Sequence, residues 1–510
     1  MVNMLDPTPS NYQEMLAFVQ SHPLYLLIVF GSALLVASAA YVVYQCYFSP
    51  LASFPGPFAA KVTSLWRPYM TSRGQWHRYL DELHRRHGSV VRIGPNQLSI
   101  GDPDAFRTIY RISGAFVKSS SYAVLQGSRP FDLAGERSEK IHAAQRRLVA
   151  RPYSMESVVH LEPQVDRLLD DLLVKFDAFA LSPNPIDLGN WFQLFAFDVI
   201  GAVSFSKPFG FVARGTDEGI FGRIERAFSS TSWLMHAPLV YKFHQKFILP
   251  YIGNFLAAND RNGYFFEFAK SEVQDRRDKG GNDKDIVGQL FQTARNKPEL
   301  TDLSISFMMT SNVFAGSDTT AIGLRSIFLN LLQHPRVLAK LRAELEERKA
   351  AGQLSNPVTF HEAEACPYLQ AVIYEALRVF SPVGTIPDRD VPKEGMTICG
   401  RFIPGGTVVG TSPWVIHHSP EIWGPDYEEF KPERWLGEDS SHLKRFFFTF
   451  GGGTRTCIGK NISWLEMDKL VSTLLMRYNF ELVDEANITD VCSTLVFLKG
   501  LKVKITMRDA

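Results

Sequence analysis

The decapeptide Phe450-Gly451-Gly452-Gly453-Thr454-Arg455-Thr456-Cys457-Ile458-Gly459, with an amphipathic helical run behind it to about Met476, decides how the rest of the chain is read. Three consecutive glycines let the backbone take conformations closed to other residues and approach a flat ligand with no side chain between. Cys457 falls at or just before a helix start, where unpaired amides and the positive end of the helix dipole favour thiolate over thiol. A thiolate there is a metal ligand or a nucleophile. Nucleophilic catalysis wants a histidine base, and none is near in sequence; a phosphate loop wants Gly-Lys-Ser/Thr, and the order is wrong. The string therefore favours a metal or haem ligand over a structural cysteine. The other cysteines, at 46, 366, 399 and 492, are sparse and lack the paired spacing of zinc or redox sites, so they read as small buried hydrophobes.

Around that loop lies a chain of 510 residues, longer than the roughly 250–300 at which a single core stops growing, so it can enclose a ligand completely. With 54 Lys+Arg against 53 Asp+Glu the formal charge is +1, and no electrostatic excess exists to neutralise a polyanion, which argues against a nucleic-acid partner. An apolar fraction of 45% and a charged fraction of 21% argue against disorder, collagen-like repeats and a polytopic membrane protein.

Between Glu14 and Lys61 there is no charged side chain. As a helix, Leu24 to Phe48 rises about 37 Å, enough to cross a hydrocarbon core of about 30 Å with some tilt. Asp6 and Glu14 stand in front of it and no basic residue does, which favours an uncleaved anchor over a signal peptide. Lys61, Arg67, Arg73 and Arg78 follow it, so the positive-inside rule puts the body in the cytosol, away from glycosylation of the sequons at Asn461 and Asn487. Phe54-Pro55-Gly56-Pro57 cannot continue a helix and makes a stiff neck. The expected organisation is a short lumenal flank over 1–23, a transmembrane anchor over 24–48, a Pro-rich neck over 49–60 and one body over 61–510.

Within the body no repeat of 20–50 residues is present. Val90 to Ile93 and Gln97 to Ile100 flank Gly94-Pro95-Asn96, the pattern of a β-hairpin, and strand signals return near Met396 to Phe402 and from Leu495 to Ile505. Arg276 to Asp285 and Glu344 to Pro357 read as surface loops. Most of the rest has helical rhythm, as in Leu168, Leu169, Leu172, Leu173 and Phe176 on one face. The sum is a mainly α body with a small β region toward its amino-terminal side. One apolar run, Leu303 to Gln333, would extend about 46 Å and must cross the interior. Near its middle, Ala315-Gly316-Ser317-Asp318-Thr319-Thr320 puts glycine and polar side chains where propensity favours Leu or Ala. Taken alone, that hexapeptide fits a functional site and a helix kink equally well.

The decapeptide resembles the haem-binding signature of the cytochrome P450 superfamily, with Phe450, Gly453, Arg455, Cys457 and Gly459 at every defining position. Glu375-Ala376-Leu377-Arg378 resembles the superfamily's Glu-X-X-Arg helix motif, and Pro432-Glu433-Arg434-Trp435 the segment whose arginine completes that ion-paired triad. Ala315 to Thr320 is similar to the oxygen-activation motif of the family's long central helix. Glu375 and Arg378 by themselves are a commonplace i,i+3 pair; with Arg434 they become a candidate buried network that holds the cysteine loop in register. His142 and Arg146, one helical turn apart, resemble the aromatic-X-X-X-Arg segment that meets a haem propionate in the family, with His where Trp is common. Arg389 and Arg455 are two further propionate candidates, since arginine's fork suits carboxylates.

The resemblance implies the cytochrome P450 fold, a triangular helical body that here forms the catalytic domain over 61–510, plus one N-terminal transmembrane helix. It implies haem b with Cys457 as thiolate ligand to the iron, and a monooxygenase that puts one atom of O2 into an organic substrate. Thr319 then orders water at the bound oxygen, Asp318 relays protons, and Ala315 and Gly316 leave room for a diatomic ligand on Thr319's face. No strand-Gly-X-Gly-X-X-Gly-helix unit is visible, so electrons come from NADPH through a separate membrane-bound NADPH-cytochrome P450 reductase, docking on basic residues such as Arg147, Lys444 and Lys460. The microsomal class implies a single-pass protein of the endoplasmic reticulum membrane.

The stretch Asp388 to Trp435 resembles filamentous-fungal oxygenases of secondary metabolism, pisatin-demethylase-like members included. By the same analogy the pocket walls are Met308, Met309, Asn312, Val313 and Ala315, the loop from Val383 to Ile386, Leu495, Val496 and Phe497, and the segment around Tyr122 to Phe131. These are apolar with few hydrogen-bonding groups, which suits a lipophilic terpenoid, polyketide, alkaloid or aromatic substrate, in biosynthesis or detoxification. Two alternatives stay open: a reductase-independent haem-thiolate isomerase or dehydratase, against which the Asp318-Thr319 pair speaks, and a non-catalytic haem-binding membrane protein.

Overall fold

The apolar run of the middle of the chain forms one helix, Asp302–Gln333, opened by Thr301, whose hydroxyl accepts from the Ser304 amide. It ends before His334-Pro335, where the chain turns into the helix Pro335–Ala350. The computed structural model describes residues 21–111, 115–257 and 260–508. The long helix crosses the body, packed against the helices Leu188–Phe205 and Tyr264–Lys279 on one side and Pro367–Val379 and Lys460–Arg477 on the other. Leu188–Phe205 is apolar and long enough to cross a membrane, but it is buried in the body, so it is a core helix. The helix Glu162–Ala180 buries the face formed by Leu168, Leu169, Leu172, Leu173 and Phe176.

The hairpin forms as read, Val90–Gly94 against Gln97–Ile100. It belongs to a five-stranded sheet in which Val408–Gly410 runs parallel to Gln97–Ile100, followed by Arg389–Asp390 and, at the edge, Val117–Lys118. Register in that last pair sets Lys118 opposite Arg389. The hairpin Met396–Ile398 with Arg401–Ile403 and the strands Val496–Lys499 and Lys502–Met507 lie where strand signals return in the sequence; Thr489–Cys492, the partner of Val496–Lys499, precedes them and was not anticipated.

Three expectations need correction. Arg276 to Lys279 belong to the last turn of Tyr264–Lys279, which stops at Gly280, and Glu344 to Ala350 continue the preceding helix; the loops begin later because charged residues are good helix formers at an exposed end. The helix Lys460–Arg477 is not amphipathic. It is buried almost all round, Glu466, Asp468 and Lys469 included, and Lys469 Nζ answers Glu162 at 2.6 Å and Asp166 at 2.7 Å.

At the amino end, Pro23–Phe48 is an apolar helical segment with no buried stretch, long enough to cross a membrane. Residues 1–20 of the expected flank lie outside the described residues. The segment's last turn does not swing free of the body. Buried Arg92, on the hairpin, donates to the Gln45 carbonyl at 2.9 Å and to Gln45 Oε1 at 2.6 Å, and Leu51 and Phe54 of the neck are buried among Val90, Leu98 and Ile100.

Candidate functional site

The cysteine loop is closed by its own backbone, the Cys457 amide donating to the Phe450 carbonyl at 2.8 Å. Gly453 sits at φ 61, and a Cβ there would lie 2.5 Å from the Tyr110 carbonyl oxygen, so only glycine serves. Gly459 precedes the first turn of Lys460–Arg477, and Phe450 lays its ring 5.8 Å from Trp464. The loop is held from behind by the triad. Glu375 accepts from Arg378 Nε and Nη2, from Arg434 Nε and from Trp435 Nε1, each at 2.8 Å, and from the Lys431 amide at 3.0 Å. Arg378 also donates to the carbonyls of His417, Tyr427 and Glu429. Burial alone would raise the Glu375 pKa, but the two guanidiniums hold it below the usual carboxylate range.

Two internal cavities of about 260 Å³ each meet at the loop. Both are lined by Cys457, Arg455, Lys118, Ser463 and Thr319, so cysteine and threonine bound the same space. The surface Cys457 exposes faces this interior. Enclosure pushes its thiol pKa up, opposed by the Gly459 and Lys460 amides and the Arg146 charge. The helix start thus acts in the direction the sequence implies, against the burial of the sulfur.

On the opposite wall the long helix presents Met308, Asn312, Ala315, Gly316 and Thr319. A Cβ on Gly316 would come within 2.8 Å of the Ile200 side chain, so glycine lets the helix approach Leu188–Phe205 here. Thr319 Oγ1 donates to the Ala315 carbonyl at 3.0 Å, leaving acceptor capacity for the cavity. Asp318 lines neither cavity. It is buried on the next face, where its carboxylate accepts from Gln193 Nε2, whose own oxygen accepts from Arg325 at 2.7 Å. Burial pushes the Asp318 pKa up to about 7, with Arg325 and Gln193 opposing.

One end of the space is ringed by basic side chains: Lys118, His142, Arg146, Arg389 and Arg455. Arg455 pairs with Glu139 at 2.7 Å; Arg146 donates to the Thr456 carbonyl at 2.8 Å, and Arg389 to the carbonyls of Pro387 and Asp388. Lys118 Nζ donates to the carbonyls of Leu133 and Ala134. Burial, then Arg455 and Arg389, force the Lys118 pKa well down, and burial with Arg455, Lys118 and Arg146 brings His142 to about 3. Buried cations that depress one another are costly unless an anion joins them. A flat group with a metal facing Cys457 and two carboxylates at this rim fits those residues.

The pocket expectations divide. Met308, Asn312, Ala315 and Val383 line the cavities, whereas Met309, Val313, Leu495, Val496 and Phe497 are buried core. Met309 and Val313 occupy the neighbouring helix face, and Leu495 pairs with Val383 from behind. The wall is also more polar than expected, with Tyr153 donating to Asn312 Oδ1 at 2.8 Å and Ser311 beside it. Tyr122, from the segment expected to wall the pocket, lines the cavity; Lys118, Tyr153, Ser311 and Ser463 are site residues that sequence reasoning missed, and a lysine following Phe116-Val117 was the one signal available, and a weak one. Of the proposed docking cations, Arg147 and Lys444 are exposed, while Lys460 is half-buried with its ammonium within 6 Å of the Phe450 and Trp464 rings.

Residues 55–507 match the model of the family described as Cytochrome P450. The chain is 52% identical to the cytochrome P450 monooxygenase hepC of Aspergillus oryzae over 89% of its own length and 92% of that relative's. It is 37% identical to a cytochrome P450 monooxygenase of Aspergillus terreus, over 84% and 90% of the two chains. It is 34% identical to the cytochrome P450 monooxygenase cicH of Emericella nidulans, over 85% and 89%.

Proposed function

Since this chain belongs to the cytochrome P450 family and is a monooxygenase with a haem-thiolate iron fed by a separate reductase, we propose that it oxygenates a lipophilic small molecule of fungal secondary metabolism. The observation that supports this reading is the single space bounded by Cys457 on one side and Thr319 on the other, with a cationic rim at its end. Cys457 would hold the iron of haem b, and Lys118, His142, Arg146, Arg389 and Arg455 its two carboxylates. When bound, the haem supplies the activation of dioxygen, one atom of which enters the substrate while the other leaves as water.

The residues of the chain bind, orient and move protons. Thr319, with its own proton committed to the Ala315 carbonyl, accepts from and so orders a water in the cavity. Asp318, adjacent in the chain and close to half-protonated at neutral pH, supplies protons by turning its carboxyl from Gln193 toward the threonine. Gly316 and Ala315 keep bulk away from that hydroxyl. The Glu375, Arg378 and Arg434 network positions the cysteine loop. Pro23–Phe48 anchors the protein in the endoplasmic reticulum membrane, residues 49–60 form the neck, and 61–510 form a cytosolic catalytic domain that receives electrons from NADPH-cytochrome P450 reductase.

The test is to supply microsomes containing the protein with a library of terpenoids, polyketides, alkaloids and aromatics and identify products by mass. One added oxygen, dependent on NADPH, supports the reading. Conversion that proceeds unchanged without NADPH or reductase contradicts it.

A further inference from the structure

Two turns of the long helix separate Asp318 from Arg325, about 10 Å along its axis, and Gln193 of the neighbouring helix Leu188–Phe205 fills the gap. Its Nε2 donates to Asp318 Oδ1, and its Oε1 accepts from Arg325 Nη2 at 2.7 Å. Only this orientation of the amide satisfies both neighbours, since a carboxylate offers no donor and a guanidinium no acceptor. Asp318, Gln193 and Arg325 are 1%, 7% and 7% exposed, so the charges face each other through an amide in the interior.

Arg325 spends its other donors on backbone, on the Gly189 carbonyl through Nε at 3.0 Å and Nη2 at 2.8 Å and on the Leu498 carbonyl at 3.1 Å; among the described residues none goes to a carboxylate. A Cβ on Gly189 would stand 2.6 Å from Arg325 Nε, so glycine there admits the guanidinium. The acids that favour its charge are Asp187, Asp318 and Glu225. Two of these are engaged nearer the surface: Asp187 caps its helix through the Asn190 amide, and Glu225 pairs with Lys499. Asp318 is the buried carboxylate that answers Arg325. On Asp318 itself, Arg325 favours the charge, and Glu225 and Asp217 oppose it from across the packing. Asp198, the acid within Leu188–Phe205, is turned to the Gly210 and Val212 amides instead. Asp318 Oδ2 has no partner among the described residues, which leaves that oxygen open to a proton.

We propose that Gln193 and Arg325 are positioning residues that sort the two forms of Asp318, holding the ionised carboxylate docked on Leu188–Phe205 and letting the protonated carboxyl turn to Thr319. A hydrogen bond to an ionised acceptor is roughly twice as strong as a neutral one, so uptake of a proton at Oδ2 weakens the hold of the amide by about half. The carboxyl then gives that proton to the water at Thr319 and, charged again, is drawn back to Gln193. This rests on the relay role of Asp318 in the monooxygenase reading and adds the residues that time it.

The full-length holoenzyme in lipid nanodiscs is titrated with base across neutrality, and the infrared C=O stretch of protonated Asp318 is isolated by subtracting the spectrum of the same protein carrying Asp318→Asn. The wild-type midpoint is expected at about 7. Gln193→Met, equal in length but without the amide, should raise it by about one pH unit or more, and Arg325→Gln should do the same. Arg325→Lys should return it part of the way. If Gln193→Met fails to retain haem, Arg325→Gln decides. A midpoint that neither substitution moves at normal haem content overturns the proposal. In the same samples supplied with reductase and NADPH, the share of NADPH lost as hydrogen peroxide should climb with pH through each variant's infrared midpoint and stay high throughout in Asp318→Asn. Midpoints that move as stated beside a peroxide share indifferent to Asp318→Asn leave the amide bridge standing and remove the relay role; a share that Asp318→Asn raises beside midpoints that do not move removes the positioning alone.

Discussion

Glu375→Gln keeps the shape of the side chain and deletes one charge from the middle of the triad. In the wild type the carboxylate is fully buried and accepts five hydrogen bonds, from Arg378 twice and from Arg434, Trp435 and the Lys431 amide once each. Glutamine turns one acceptor into a donor that faces donors; it leaves the buried Arg378 guanidinium without a counterion and Arg434 with Asp426 alone, at 3.5 Å. Removing one member of a buried ion pair costs about 3–5 kcal/mol. That is a large part of the roughly 5–15 kcal/mol that holds a protein folded. Arg378 keeps its three carbonyls but no carboxylate, whereas Arg434 keeps the Trp423 and Asp426 carbonyls and the Asp426 carboxylate, so the uncompensated charge sits on Arg378. The assay is urea-induced loss of the reduced carbon-monoxide band, compared with wild type at pH 7. A loss of 1 kcal/mol or less would refute the argument. The linkage has a sign as well: a carboxylate held below its unfolded pKa stabilises above the unfolded value of 4.5 and loses that contribution as pH falls through the lower folded value. Wild-type stability should therefore fall in that acid window more steeply than that of the glutamine variant.

Lys118→Met should speed haem transfer to apomyoglobin by roughly tenfold or more, the equivalent of one charged hydrogen bond of about 1.5–3 kcal/mol; an unchanged rate removes Lys118 from the cofactor site. Thr319→Ala should lower product formed per NADPH consumed by roughly tenfold, short of the 10²-fold or more for complete loss of positioned proton transfer because water can substitute; unchanged coupling counts against its role. Asp318 carries a folded pKa of about 7 against 3.8, so the wild type should lose stability as pH rises from about 4 to 7, where the unfolded chain ionises and the folded one resists. Asp318→Asn should flatten that slope in thermal unfolding, and a slope identical to wild type sinks the assignment.

What the sequence disclosed is what local geometry determines. The cysteine loop is ten consecutive residues, and its glycines and helix start have consequences within that span; the same holds for the hairpin, whose turn is written in Gly94-Pro95-Asn96. Glu375 and Arg378 share a helix, and only Arg434 had to be brought from elsewhere. Lys118 was invisible because its function depends on sheet register, which sets it opposite Arg389, and on carbonyls in a loop fifteen residues on. Met309 and Val313 were misplaced for a related reason: helical spacing tells which residues share a face, but the neighbours decide which face meets the cavity. The charge on Arg325 is unremarked in sequence, where any arginine reads as solvated; only the fold shows it buried with an amide between it and its carboxylate.

The most direct test of the account is the reduced carbon-monoxide difference spectrum of the full-length protein beside that of Cys457→Ala. Thiolate ligation by Cys457 predicts absorption near the wavelength for which the family is named in the wild type and its loss in the variant. A wild-type band at the position given by nitrogen-ligated haem, or the same band persisting without the Cys457 sulfur, would contradict it.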